Sequence, residues 1–274
     1  MLPDFVKFWR QFVPSQAPFI HPKDHDVLSR SKCLPDGDEP TDHESYVGSI
    51  RFGEPNDKRF HLSLLPVPYV GDVANADIVI LLLNPGFHHS EYWAETAVPG
   101  FGDRLIRNLR QEFSAGESPF FCLDPQFCWY SRFHWWEKKL RRVISTIAEQ
   151  KFKGSYRDAM GDLSRRLACI ELVPYHSSSF GNHKLIADLP SARLAREFVS
   201  KHLLGSSGEP GKTVIVTRQV KGWSLHGSKD VANLVVYEGG HTLGASLGPG
   251  SLGGKAILRQ YGIQPQGGDR PASD

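Results

Sequence analysis

Four short apolar runs, each closed by a proline, a glycine or a polar residue, constrain this chain more than any other feature. Residues 76–83, of which 78–83 form the longest unbroken apolar stretch, end at Asn84-Pro85-Gly86, and residues 167–173 end at Pro174. Residues 213–216 and 234–237 follow, the last run stopping before Gly239-Gly240. Runs this short and this apolar read as strands buried on both faces, whereas a bilayer crossing needs ~20 residues. Between them lie patterns of helical period at 103–113, 137–150 and 191–204, the last with Leu194, Phe198 and Leu203. The alternation predicts an α/β fold: a doubly wound, mainly parallel four-stranded central sheet flanked by helices.

Phe5, Phe8, Trp9 and Phe12 open the chain with an amphipathic helical pattern, and residues 36–42 are polar. Residues 1–60 therefore read as an N-terminal helix and loop extension, 61–263 as the α/β domain and 264–274, made of Gly, Pro and polar residues, as a flexible tail. With 32 Lys and Arg against 30 Asp and Glu the net charge is only +2, so any nucleic-acid surface must be local. Cys33, Cys122, Cys128 and Cys169 are too few and too unevenly spaced for a disulfide framework, which fits a reducing cytoplasm. The N-terminus lacks the basic-then-apolar signature of export, and no membrane role is expected.

Ligands of open parallel sheets bind beyond the carboxyl ends of the strands, where loops diverge and helix N-termini point inward. Three of the four runs finish in polar residues: Asn84 after the first, Glu171 with Tyr175 and His176 around the second, and His241 after the fourth. Other groupings carry less. Residues 206–213 lack the first glycine of a phosphate-binding loop and precede a strand instead of following one. His21, Asp24, His25 and Asp26 crowd together, as do Cys122, Cys128 and His134, without a recognised zinc spacing; no metal or other cofactor is expected. Residues 127–142 interleave Trp129, Tyr130, Phe133, Trp135 and Trp136 with Arg132, Lys138, Lys139, Arg141 and Arg142. That texture suits single-stranded nucleic acid, or an amphipathic helix burying its aromatics under a solvated basic face.

Leu83-Asn84-Pro85-Gly86, followed by Val98-Pro99-Gly100-Phe101-Gly102 before an Arg-rich helix, resembles motif A of the uracil-DNA glycosylase superfamily, nearest to its single-strand-selective and mismatch-specific branches. Glu171-Leu172-Val173-Pro174-Tyr175 is similar to that superfamily's Asn-Leu-Cys-Pro-Leu segment. His241, with residues 242–254 behind it, looks like the motif B His and the loop that probes the minor groove, and the pieces agree in order over residues 66–260. The resemblance implies a uracil-DNA glycosylase-like fold and a DNA-repair enzyme that hydrolyses the N-glycosidic bond of a flipped base, a monomer needing no cofactor and partnered by single- or double-stranded DNA. The chain departs from the pattern twice. Glu171 stands where the superfamily reads uracil with Asn, and His241-Thr242-Leu243-Gly244 replaces His-Pro-Ser-Pro, so the base need not be uracil.

Hydrolysis of a base-sugar bond needs a group that orients water at the sugar and a donor for charge arriving on the base. Asn84 and His241 suit those roles, Gly86, Phe87 and Phe101 would surround and stack on the base, and Glu171 would read its edge. Ser177, Ser178, Lys184, Thr242 and Ser246 are the candidate DNA contacts. An ionised Glu171 accepts only, favouring bases with an exocyclic amine, while a Glu171 protonated by burial also donates and admits uracil. Each residue has a plainer reading as well: a tight turn at Asn84-Pro85-Gly86, a buried partner for Arg or His at Glu171, a solvated loop at His241, core packing at Phe87 and Phe101. The whole-chain alternative is a catalytically inactive nucleic-acid or nucleotide binder on the same fold.

Overall fold

The structure, a computed structural model, describes residues 3–35, 37, 39–54, 56–204, 212–226, 231–237 and 246–264. Five strands form one mixed sheet: β1 (Tyr69–Val70), β2 (Ile78–Leu82), β3 (Leu167–Glu171), β4 (Thr213–Val216) and β5 (Leu234–Val236), in the order β1-β3-β2-β4-β5. The four expected strands run parallel; β1 adds an antiparallel edge, pairing Tyr69 with Ile170. The sheet is thus five-stranded. Pro66 and Pro68 interrupt the run before β1, and only its pairing with β3 makes those two residues a strand.

Side chains alternate across the sheet, so each strand feeds two cores. Val79, Leu81, Ala168, Ile170, Val214 and Val216 face one, and Ile78, Ile80, Leu167, Cys169 and Ile215 face the other. The first core is covered by α1 (Asp4–Arg10), α2 (Pro22–Arg30), α8 (Leu185–Asp188) and α9 (Pro190–Phe198). Phe5, Phe8 and Trp9 of α1, together with Phe12, are buried there, so the first helix is part of the sheet's own core. The loop expected after it holds two more helices, α2 and α3 (His43–Val47), capped at their starts by His21 and Asp42.

The second core lies under α6 (Ser131–Lys151), α7 (Tyr156–Arg166) and α10 (Leu252–Gln260), with α4 (Ser90–Ala97) and α5 (Phe101–Arg110) leading into it. In α6 the buried residues Phe133, Trp136, Leu140, Val143, Ile144 and Ile147 recur at helical spacing. The helix begins six residues before the expected 137 because Arg132, Phe133 and Trp136 continue that stripe inward. It ends where Lys153 and Gly154 turn left-handed and Gly154 N–H reaches back to Ala148 O at 2.8 Å. The β2-to-β3 connection crosses one face through α4 to α7 and the β3-to-β4 connection the other through α8 and α9, the doubly wound arrangement. Among the described residues no helix is long and apolar enough to cross a membrane.

Candidate functional site

Because β3 and β4 lie on opposite sides of β2, the strand order reverses at β2, and a crevice opens beyond its carboxyl end. Register brings the residues there together. Leu82 pairs with Glu171 on one side, and on the other Leu81 pairs with Val216, which sets Thr217 beside Leu82. A cavity of about 590 Å³ sits on these ends, lined among others by Asn84, Phe87, Glu91, Arg132, Glu171, Ser177, Thr217 and Arg218. That volume is in the range of small-molecule sites.

Asn84 lies two residues past β2. Its amide nitrogen donates to Ser177 Oγ at 3.0 Å and lies 3.5 Å from Tyr175 O, bonds that orient the side chain and leave the carbonyl oxygen as acceptor. Gly86 has φ +70° with open space where a Cβ would stand, so the turn needs glycine for its backbone conformation and not for room. Phe87 lines the cavity with its ring stacked at 3.7 Å on the His61 imidazole and edge-on to Tyr46 and Tyr92.

Glu171 ends β3 inside the protein, and its Oε2 has no hydrogen-bond partner among the described residues. Burial pushes its carboxyl up to about 8 against the opposing pull of Arg132. Of the two chemistries the sequence leaves open, the uncharged one therefore holds at neutral pH. Arg132 bonds elsewhere: Nε donates to Glu91 Oε1 at 3.2 Å and Nη2 to His176 Nδ1 at 3.1 Å. Glu91 also accepts from the Tyr130 and Ser131 hydroxyls. Burial opposes the Glu91 charge, yet Arg132 beside it holds the carboxyl below its usual range. Burial lowers His176 to about 3, so the ring is neutral; it accepts from Arg132 at Nδ1 and donates from Nε2 to Leu65 O at 3.1 Å. This chain of bonds ties α4, α6 and the segment after β3 into one wall.

The remaining candidates separate. Ser177 is buried and Ser178 exposed, and both line the cavity, whereas Lys184 is exposed and outside it. Ser246 is exposed, and its Oγ accepts from Gly248 N at 3.1 Å; its neighbour Leu247 reaches the lining. Phe101 does not reach the cavity. The first turn of α5 directs it into the second core, edge-on to Phe121, Phe127, Trp129 and Tyr130 and 1% exposed, which leaves no face for a base. His241 and Thr242 lie outside the described residues.

In the N-terminal polar cluster, His21 stacks on Phe8, and Asp24 accepts from the Tyr175 hydroxyl and Ser191 N. Among the described residues no three His, Cys, Asp or Glu side chains gather as a metal-binding group, and the four cysteines are free thiols. Sequence reasoning missed Glu91, Thr217 and the inward role of Arg132. Arg132 stands among the basic residues of 127–142, and nothing in its local sequence marks it as the one that points inward. Comparison with protein-family models, with curated proteins and with solved structures finds no significant match for the chain.

Proposed function

We propose that the chain is a DNA N-glycosylase of the uracil-DNA glycosylase type, hydrolysing the base-sugar bond of a flipped nucleotide as a cytoplasmic monomer. The observation that carries this reading is the pairing of an oriented Asn84 amide with an uncharged Glu171 carboxyl on one base-accommodating cavity at the sheet's switch point. Asn84 Oδ1 holds a water for attack on C1′. The C1′–O bond forms as the C1′–N bond breaks with its electron pair passing to the base, and the water's proton leaves to solvent. Glu171 reads the base edge, with its hydroxyl donating to a ring carbonyl and its carbonyl accepting from a ring N–H. Phe87 covers the base face, and His241 is assigned to support the departing base, as the resemblance implies.

One observation favours the second reading, a non-catalytic binder of nucleic acid or nucleotide. Glu91, the other carboxylate lining the cavity among the described residues, is engaged by Arg132, Tyr130 and Ser131 and so is poorly placed to act as a base. Oligonucleotides carrying uracil, hypoxanthine, xanthine or oxidised pyrimidines, single- and double-stranded, followed by alkaline cleavage, separate the two. Release by the wild type, reduced on the order of 10²-fold in Asn84→Ala, is the expected result. Binding without release of any base from any substrate gives the binder.

A further inference from the structure

Of the aromatic and basic residues along 127–142, the fold turns Tyr130, Phe133 and Trp136 inward and leaves Trp135 47% exposed at the rim of the cavity. Trp135 and Lys139 are one turn apart on the same face of α6, and Lys139 Nζ stands 5.4 Å from the indole centroid. Lys138 and Arg142 continue that face beyond the cavity lining, over on the order of 10 Å from Trp135 at the helical rise. Glu137, the acidic residue within this stretch, is turned toward Arg141 and Tyr156 and bonded to both.

Arg218 arrives at the same rim from another element. It follows β4 in a segment held to β2 by Thr217 Oγ1 donating to Leu81 O at 3.2 Å and Trp223 Nε1 donating to Leu82 O at 3.1 Å. The next residue, Gln219, turns left-handed at φ +57°. Lys139 and Arg218 both line this opening, and burial and then the charge of Arg218 push the Lys139 ammonium below its usual range.

We infer that this rim is a track for single-stranded nucleic acid, in which Lys139 and Arg218 take the phosphodiester beside the nucleotide in the cavity, Trp135 stacks on a neighbouring unpaired base, and Lys138 and Arg142 carry the next phosphates. It rests on reading the cavity as a base-binding site. A single strand fits better than a duplex because a half-exposed indole beside cations offers a stacking surface that paired bases have no need of. It fits better than a mononucleotide because the basic face extends past the cavity, beyond the reach of one phosphate.

The test is fluorescence anisotropy of a labelled, undamaged single-stranded oligonucleotide titrated at several salt concentrations, with the same sequence as duplex and dUMP as competitors. The expected result is a single strand bound more tightly than duplex and poorly displaced by dUMP. Arg218→Ala and Lys139→Ala should each weaken it and flatten the plot of log affinity against log salt by about 0.7. Trp135→Ala should weaken it about tenfold with the slope unchanged. Lys138→Glu, outside the cavity lining, should weaken it as well. Unchanged slopes in both cation variants, or duplex or dUMP binding as tightly as the single strand, overturn the track. Because the probe carries no damaged base, a protein that binds this way and releases no base sinks the glycosylase reading alone, and one that releases base without these losses sinks the track alone.

Discussion

At Glu171 burial outweighs the guanidinium of Arg132, and the consequence is a side chain whose hydrogen-bond code changes near physiological pH. Below about 8 the neutral acid offers one donor and one acceptor, the complement of a lactam edge such as uracil N3–H and O4; above it the carboxylate only accepts. Binding or processing of uracil-containing DNA should therefore fall about tenfold for each pH unit above the Glu171 pKa. Glu171→Gln keeps a donating N–H and an accepting carbonyl without a titrating proton, so its profile should stay flat over the same range. Measuring both proteins from about pH 6 to pH 9.5 with buffer-matched ionic strength checks this. A wild-type profile as flat as that of the variant would mean that Glu171 does not touch the base.

The elements around the cavity are held by close backbone approaches that depend on single glycines. Gly254 in the first turn of α10 sits where an added Cβ would come within 1.8 Å of Gly248 O, so the backbone itself would have to shift. Its neighbour Gly253 donates to the Tyr237 hydroxyl at 2.8 Å, and that hydroxyl in turn donates to Ser246 O, so the turn also anchors the segment after β5. Gly254→Ala should lower stability by 3 kcal/mol or more, the ~1–3 kcal/mol of ordinary overpacking being a lower bound for a backbone clash. Gly161 makes the contrast. It lies inside α7 with φ in the ordinary range, and the nearest atom to its Cβ would be Arg165 Nη1 at 4.0 Å, so Gly161→Ala should raise stability by about 0.5–1 kcal/mol. Urea unfolding of the two variants side by side tests both signs.

For the whole molecule, stability against pH is set by groups that folding forces to stay neutral. Burial lowers His21 to about 4 and His61 and His176 to about 3. Unfolded imidazoles take up protons below about 6.5 that the folded ones refuse, so this contribution is present above about pH 6.5 and lost as pH falls toward 3 to 4. The carboxyls of Asp24, Glu39, Glu95 and Glu171 are shifted the other way by burial. Their contribution is present below the ordinary carboxylate range and declines as pH rises, for Glu171 through about 8. Melting temperature should therefore peak in mildly acidic to neutral solution and fall on both sides. Glu171→Gln should remove the part of the decline that runs from the ordinary carboxylate range up to about 8, on the order of 1 kcal/mol per pH unit across that span, and change nothing above it. From pH 6.5 down to 4.5 the losses at the histidines and the gains at the raised carboxyls oppose one another, so Glu171→Gln, which removes one of the gains, should show a steeper acid fall than the wild type; an equal fall in both would contradict the raised Glu171 carboxyl.

Whereas Glu171 falls inside a run read to 173 and becomes a strand end only because β3 stops there, the apolar runs that become β2 to β5, the helical stripes between them and the place of Asn84 just past a strand are legible in the sequence. These are local properties: a run of apolar residues closed by Pro-Gly is a buried strand and a turn wherever it lies. Packing between distant segments supplies what no window of sequence contains. Tyr69–Val70 is a strand because β3 offers it an edge, Phe101 is core because α5 turns it toward Phe121 and Tyr130, and Arg132 points inward because Glu91 and His176, from two other elements, wait for it. Even at Glu171, where the residue type was legible, the charge state was not. The cost of ionising a carboxyl depends on how much water and how many opposite charges the rest of the chain brings within reach, and that is settled only when distant segments pack.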